Sequence, residues 1–306
     1  MSISIIKNSD KKNKKIGEIL AEGEVILRKS GRSRADEESL ILLSYLLKKE
    51  RFDLLLNRFL NVSPGDKKRY YDWIEERAKG IPLQYITGFQ NFMGMEFKLR
   101  KSIFIPRPET EILVEEIIKL IESMPDRTKL YFLDIGTGSG VIPISICYYF
   151  QNTSKDIHFY ASDISNKAIK LAQENAKRFS CETKVTFLYG DFFETQSLNS
   201  SLCFDGIISN PPYISKSEFS NLPEEVYHYE PKKALFGGIK GLDYYQKIMK
   251  QSSKYLKKRN SFLALEIGHK QKEAVSRMIK NAGNFQDKIL VFRDYYQNDR
   301  VIVALT

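Results

Sequence analysis

The sequence predicts an α/β fold: a mostly parallel sheet with an antiparallel edge, preceded by a small helical bundle and a β-hairpin linker. Three observations carry this. Apolar runs alternate with helical stretches from residue 130 onward, residues before 80 show helical spacing and no clear strand, and a short polar stretch joins the last two apolar runs. Alternation of strand and helix marks βαβ units, whose strands run parallel, whereas a short connection makes its two strands antiparallel. The implied domains are 1–80, helical; 81–105, a linker with a hairpin; and 106–306, the α/β domain.

In the helical part, Ile16, Ile19 and Leu20, then Leu40, Leu43, Leu46 and Leu47, then Leu54, Leu55 and Phe59 recur at intervals of three and four. Ser63-Pro64-Gly65-Asp66 reads as a helix start, since a cap residue precedes a proline that is pre-set for the first turn. A helix over 67–79 stops at Gly80, and Tyr70, Trp73 and Ile74 belong to the bundle core. Residues 81–88 read as a turn-rich segment, and 89–99 as two short strands around Gly94. An amphipathic helix is expected over 111–123. Strands are then expected at 131–135, 158–162, 185–189, 206–209 and 262–267, with helices at 166–178, 241–255 and 270–281. The runs 288–292 and 301–305 form the antiparallel edge.

Composition bounds the classes. A chain of 306 residues, 42% apolar and 28% charged, has room for two cores and reads as a soluble globular protein. No apolar run approaches the roughly 18 residues that span a bilayer. The start of the chain is lysine-rich and lacks the apolar core of a secretory signal, which points to the cytoplasm. Cys147, Cys181 and Cys203 are too scattered for a disulfide framework, and His158, His228 and His269 show no ligand spacing, so no metal is expected. The net charge of +10 is spread along the chain; it permits an anionic partner without demanding one.

Four successive strands end in polar residues. The first closes with Asp134-Ile135-Gly136-Thr137-Gly138-Ser139-Gly140, where glycines permit a tight turn and let a ligand approach bare backbone. Val141 stands where a dinucleotide fingerprint has its last glycine, and the loop lacks the Gly-Lys-Ser/Thr ending of a triphosphate-binding loop. The second ends in Asp163, the position where such sheets hold ribose hydroxyls. The third ends in Gly190-Asp191-Phe192-Phe193, an acceptor beside an aromatic face. The fourth ends in Asn210-Pro211-Pro212-Tyr213: the prolines stop the ladder, leaving a rigid tip with a side-chain amide, bare carbonyls and a ring. Two acceptors can take both N–H bonds of a planar NH2 group there, with Tyr213 against its flat face. In open parallel sheets, ligands bind at this edge.

Pro82-Leu83-Gln84-Tyr85-Ile86-Thr87-Gly88, Ile105-Pro106-Arg107-Pro108-Glu109-Thr110-Glu111, the Gly-x-Gly-x-Gly loop, Gly190-Asp191-Phe192-Phe193 and Asn210-Pro211-Pro212-Tyr213-Ile214 together resemble the HemK/PrmC family. These are glutamine N5-methyltransferases of peptide chain release factors. The ending, Arg293-Asp294-Tyr295 and then Asn298-Asp299-Arg300-Val301, is also similar. The resemblance implies a Rossmann-like class I methyltransferase sheet, with S-adenosylmethionine as cofactor and S-adenosylhomocysteine as product. It implies that residues 1–80 recognise the substrate, a class 1 release factor; a monomer with no membrane and no obligatory nucleic-acid partner is the expectation beside it. Cofactor contacts carry over to Asp134, Gly136, Thr137, Gly138, Ser139, Gly140, Asp163, Asp191, Phe192 and Asn210. Asp134 is expected to help fix the cofactor's ammonium or to order water beside it, Asp191 to accept from its adenine amino group and Phe192 to cover the ring. Asn210, Pro211, Pro212 and Tyr213 would hold the glutamine of a Gly-Gly-Gln loop, with Asn210, Pro211 and Tyr213 catalytic. Phe192 stands where many members have Trp, and Asn91 where Glu is usual.

The expected reaction is direct methyl transfer to the amide nitrogen, with no covalent enzyme intermediate. Two rivals fit parts of the same pattern. An adenine N6-methyltransferase of DNA or RNA could clamp a flipped base at the same tip, although no separate basic recognition region stands out. A cofactor-sensing module would bind S-adenosylmethionine without turnover; the intact Asn-Pro-Pro-Tyr tip argues against it.

Overall fold

A computed structural model of the chain describes residues 14–125, 129–191, 193, 202–283, 285 and 288–306. The chain divides into two units, Met1–Gly88 with Glu224–Tyr229, and Phe89–Pro223 with Glu230–Thr306. In the second unit the strands are β1 (Phe89–Phe92), β2 (Met95–Lys98), β3 (Leu130–Ile135), β4 (Ile157–Asp163), β5 (Val185–Tyr189), β6 (Gly206–Ser209), β7 (Phe262–Glu266), β8 (Ile289–Arg293) and β9 (Asp299–Leu305). Among the described residues, β1 and β2 form the expected hairpin, and the other seven form one sheet in the order β5-β4-β3-β6-β7-β9-β8. From β5 to β7 neighbours are parallel; β9 runs antiparallel to β7 and β8. The central strands β6 and β7 are buried along their whole length, which is why they read as unbroken apolar runs.

The chain winds outward from β3 to β5 and then returns to the other side with β6. The sheet's switch point therefore lies between β3 and β6. Ile135 pairs with Ser162 on one side and Ser209 on the other, so Gly136, Asp163 and Asn210 leave the sheet side by side. The register brings together three motifs that are far apart in sequence.

Helices cover both faces. Glu109–Ser123, Val141–Tyr149 and Asn166–Arg178 pack on one, around Phe132, Phe159 and Phe262. Asp243–Tyr255 and Lys272–Ala282 pack on the other, through Tyr245, Ile248, Val275 and Ile279. Gly206 is required in β6 because a Cβ there would strike the Phe262 ring. At the antiparallel edge, Asp294 accepts from the backbone N–H of Tyr296 and Asn298, each at 2.9 Å, and from Arg300 Nε at 2.8 Å. That cluster holds the β8–β9 turn and keeps the Asp294 carboxyl at about 2, against the opposing pull of its own desolvation.

The described residues of the first unit are mainly helical. Ile16–Lys29, Ala35–Leu47 and Pro64–Ala78 share a core that includes Ile19, Leu42, Tyr70 and Ile74, with Trp73 packed against it. Ser63 accepts from Asp66 N–H at 3.1 Å with Pro64 inside the first turn, as its sequence predicts. Two expectations need correction. Residues 83–87 form a single helical turn, Leu83–Thr87, ended by Gly88 at φ +80°. Leu55 and Phe59 are exposed: the helix Arg51–Leu56 is so short that Leu54 alone on it is buried. Among the described residues no helix is long and apolar enough to cross a membrane.

Asn175 ties three segments of the second unit together. Its amide donates to the carbonyls of Lys98 (3.1 Å) and Ser139 (2.9 Å), and its oxygen accepts from Lys98 N–H (2.9 Å). The hairpin, the glycine loop and the helix Asn166–Arg178 are thereby joined at a fully buried side chain. Asn175→Ala strands these partners and should lower the unfolding free energy by about 2–4 kcal/mol. Urea unfolding checks this; a loss below about 0.5 kcal/mol would show that the contacts are dispensable.

Candidate active site

A cavity of about 480 Å³ lies above the C-terminal ends of β3, β4 and β6, at the switch point. Residues 136–139 and Asp163 line one side, Asn210, Pro211 and Pro212 another, and Asp191 and Lys247 also line it.

The glycine loop is held by the next strand. The N–H groups of Gly136 and Thr137 both donate to the Ser162 carbonyl at 2.9 Å, and Gly138 N–H donates to Asp163 Oδ2 at 2.9 Å. Gly136 and Gly138 have φ of +78° and +57°, and a Cβ on either would meet nothing within 4 Å. The turn needs glycine for its conformation, and the space beside it is open. Gly140 has another role. A Cβ there would lie 2.7 Å from Ile144 Cδ1 and 3.0 Å from Ala172 Cβ, so its smallness lets two helices approach, and it does not line the cavity.

Asp163 also accepts from Ser165 N–H at 2.8 Å. Burial raises its carboxyl above the ordinary carboxylate value, while the Ser165 and Gly138 N–H groups pull it down. The helix cap itself is Ser165. Asp191 accepts from Phe193 N–H at 3.1 Å and pairs with Lys247 Nζ at 2.5 Å. Phe192 lies outside the described residues.

Asp134 departs from expectation: it does not line the cavity. Strand alternation puts it on the same face as Phe132, beneath the loop, while Ile135 reaches the cavity. Both its carboxylate oxygens are buried without a hydrogen-bond partner among the described residues, and burial pushes the carboxyl up to about 7. The Thr137 hydroxyl pulls the other way, although it stands outside hydrogen-bonding geometry to either oxygen.

At the fourth strand tip, Asn210 Nδ2 donates to Thr110 Oγ1 at 3.0 Å, and Thr110 Oγ1 donates to Glu266 Oε2 at 2.7 Å. No described residue donates to Asn210 Oδ1 or to the Pro211 carbonyl. Glu266 is buried, and desolvation raises it to about 7; Thr110, Arg300 and the Asn210 amide act to lower it, Glu109 to raise it. Tyr213 is the second departure. Its ring is half-buried against the core and does not line the cavity; its hydroxyl is shifted up by burial. The chain turns after Pro212, with Ile214 N–H donating to Leu235 O and Gly237 N–H to Ile214 O, each at 2.9 Å. The Tyr213 carbonyl accepts from Gln271 Nε2 at 2.9 Å.

Some residues around the site carried no assignment from sequence. A Cβ on Gly237 would sit 2.5 Å from the Pro212 carbonyl oxygen, and one on Gly241 would strike the Tyr213 carbonyl, so these glycines let a second loop press on the tip. The cluster Gly237-Gly238-Ile239-Lys240-Gly241 is a visible sequence signal for such an approach. Glu230 anchors the Ile-Pro-Arg-Pro segment, pairing with Arg107 and accepting from Ile105 N–H at 3.2 Å.

Comparison with known proteins fits this geometry. A family model described as the PrmC N-terminal domain matches residues 18–88, and one described as a methyltransferase domain matches 126–290. A release factor glutamine methyltransferase of Clostridium acetobutylicum is 38% identical over 95% of this chain and 98% of its own. The chain belongs to the release factor glutamine methyltransferase family. A relative of the same name from Bacillus cereus is 36% identical over 91% of this chain and 94% of its own. In fold alone, the hMettl16 catalytic domain, solved with the MAT2A 3'UTR hairpin 1, is similar with a TM-score of 0.53 at 16% identity, covering 86% of this chain and 90% of that one. The sheet is that of a class I methyltransferase, and the chain is a member of this enzyme family with both its helical and its catalytic parts.

Within this family member, the buried Asp134 has a measurable signature. Its folded-state carboxyl binds a proton more tightly than the unfolded one, so this group's contribution to stability is fully present below about pH 4, is lost as pH rises to about 7, and changes no further above that. Asp134→Asn removes the buried charge. It should stabilise the cofactor-free protein at about pH 8 by on the order of 1–3 kcal/mol, and the gain should shrink through the window below about 7 and vanish only at about pH 4. Urea unfolding at the two pH values checks this; an equal effect at both contradicts the buried, unpaired carboxylate.

Proposed function

We propose that the protein transfers a methyl group from S-adenosylmethionine to the side-chain amide nitrogen (N5) of the glutamine in the Gly-Gly-Gln motif of class 1 peptide chain release factors. The observation that carries this reading is the orientation of the Asn210 amide: its NH2 is engaged by Thr110, and no described residue donates to its oxygen. A free acceptor at a rigid strand tip, beside an open glycine turn, suits a substrate that brings an NH2 group.

The cavity fits the cofactor. Open space beside Gly136 and Gly138 accommodates its methionine part, and Asp163 keeps lone pairs for ribose hydroxyls beyond the two that accept from backbone. Asp191 and Lys247 supply an acceptor and a donor for the adenine edge. Bound there, S-adenosylmethionine supplies an electrophilic methyl carbon on a sulfonium. Asn210 Oδ1 and the Pro211 carbonyl accept the two hydrogens of the substrate amide, which turns its nitrogen toward the methyl carbon. An amide nitrogen is a weak nucleophile because its lone pair is delocalised into the carbonyl; orientation and polarisation by two fixed acceptors offset that weakness. The substrate nitrogen would gain the methyl as the carbon–sulfur bond breaks with its electron pair left on sulfur, and would give up one proton to water. With its ring packed on the core and its carbonyl held by Gln271, Tyr213 anchors the turn after Pro212 and does not stack on the substrate. The helical part, residues 1–80, recognises the body of the release factor.

Mass spectrometry of a release factor, incubated with the protein and S-adenosylmethionine, tests this directly, with DNA and RNA as competing acceptors. The expected result is one added methyl on the glutamine. Asn210→Ala should lower turnover on the order of 10²–10³-fold, while the calorimetric Kd for S-adenosylhomocysteine changes by less than about threefold. Transfer to nucleic acid instead, or near-normal turnover in that variant, would overturn the reading.

A further inference from the structure

We propose that Thr110 and Glu266 are positioning residues that decide which end of the Asn210 carboxamide faces the cavity. This deepens the reading above and rests on it for its catalytic consequence. The argument follows the protons. The Thr110 hydroxyl has one, and it lies on the 2.7 Å bond to Glu266 Oε2. Toward Asn210, at 3.0 Å, the same oxygen can then only accept, and the group that donates to it has to be the NH2. Turning the amide over would set its oxygen against a hydroxyl whose proton is committed elsewhere and beside a carboxylate. Both relay residues are fixed: Thr110 is 2% exposed on the helix Glu109–Ser123, and Glu266 is 1% exposed at the end of β7. The Glu266 backbone carbonyl is itself bonded by the Tyr245 hydroxyl at 3.0 Å. Arg300 is nearby but forms its salt bridge with Asp294 at 2.8 Å, so the carboxylate remains available to the hydroxyl.

The lock requires an ionised carboxylate. A protonated Glu266 can donate to Thr110, which frees the hydroxyl proton for Asn210 Oδ1 and lets the amide turn. The groups facing Glu266 are Glu109 and Thr110 from the helix, Asn210 and Tyr213 from the strand tip, Arg300 from β9 and Tyr245 from the helix Asp243–Tyr255. Glu266→Gln mimics the protonated form, because its amide donates to Thr110 where the carboxylate accepted.

Two measurements test the relay. The first is hydrogen exchange at the Asn210 side-chain amide, followed by NMR in protein labelled with 15N-asparagine and needing no substrate. Wild type should exchange at least about tenfold more slowly than Thr110→Val; equal rates overturn the proposal whatever reaction the protein catalyses. The second is steady-state methylation of a release factor. Thr110→Val and Glu266→Gln should lose on the order of tenfold to a hundredfold in kcat, the size typical of partners that orient a functional group. Thr110→Ser should stay within about threefold of wild type, and the Kd for S-adenosylhomocysteine should hold in all three. Wild-type kcat should fall on acidification as Glu266 takes up its proton, and Glu266→Gln should lack that step. Undiminished kcat in Thr110→Val, or a loss matched by equal losses of cofactor affinity and melting temperature, overturns the relay. A wild-type protein that methylates no release factor defeats the functional reading alone, and the exchange measurement then decides the relay.

Discussion

The hydrogen-bonded register of β3 with β4 on one side and β6 on the other is the constraint from which the site follows. Because Ile135 pairs with both Ser162 and Ser209, the glycine turn, Asp163 and Asn210 emerge together at the switch point. A shift of one residue in either pairing would turn the tips to opposite faces. The surrounding packing protects that register: fully buried β6 and β7 at the centre, a glycine in β6 that admits the Phe262 ring, and helices on both faces.

Among the buried carboxyl groups that this frame carries are Asp134 and Glu266, neither of which lines the cavity. They are held differently. Asp134 has no hydrogen-bond partner among the described residues, whereas Glu266 is bonded by Thr110 and faces Arg300. Burying a carboxylate is unfavourable unless a donor compensates it, so residues kept in this state sit at the stability-costing end of the fold.

Much of the site was legible in the sequence because its signals are local. A glycine-rich turn after an apolar run, an acid at the next strand end and Asn-Pro-Pro at another each identify a strand tip without reference to the rest of the chain. Where the structure sets a residue away from the cavity that its sequence position suggested, the cause is three-dimensional return. Gly140 serves helix packing because Ala172 comes back against it; Tyr213 is turned inward because Ile214 pairs with the segment at 235–237; Asp134 falls under the loop through strand alternation. Leu55 and Phe59 kept helical spacing, yet the helix is too short to bury them. The pairing of Thr110 with Glu266 spans 156 positions and leaves no local trace. Family resemblance pointed to the Ile-Pro-Arg-Pro-Glu-Thr segment as a signature, and the geometry supplies a physical reason for its threonine.

The central claim is that a strand tip presents a carboxamide oxygen, not its NH2, to a substrate amide. A crystal structure of the protein with S-adenosylhomocysteine and a peptide containing Gly-Gly-Gln tests it most directly. The account predicts the glutamine nitrogen within hydrogen-bonding distance of both Asn210 Oδ1 and the Pro211 carbonyl, with its remaining face toward the cofactor sulfur. A glutamine bound elsewhere, or one whose carbonyl oxygen accepts from Asn210 Nδ2, would contradict it.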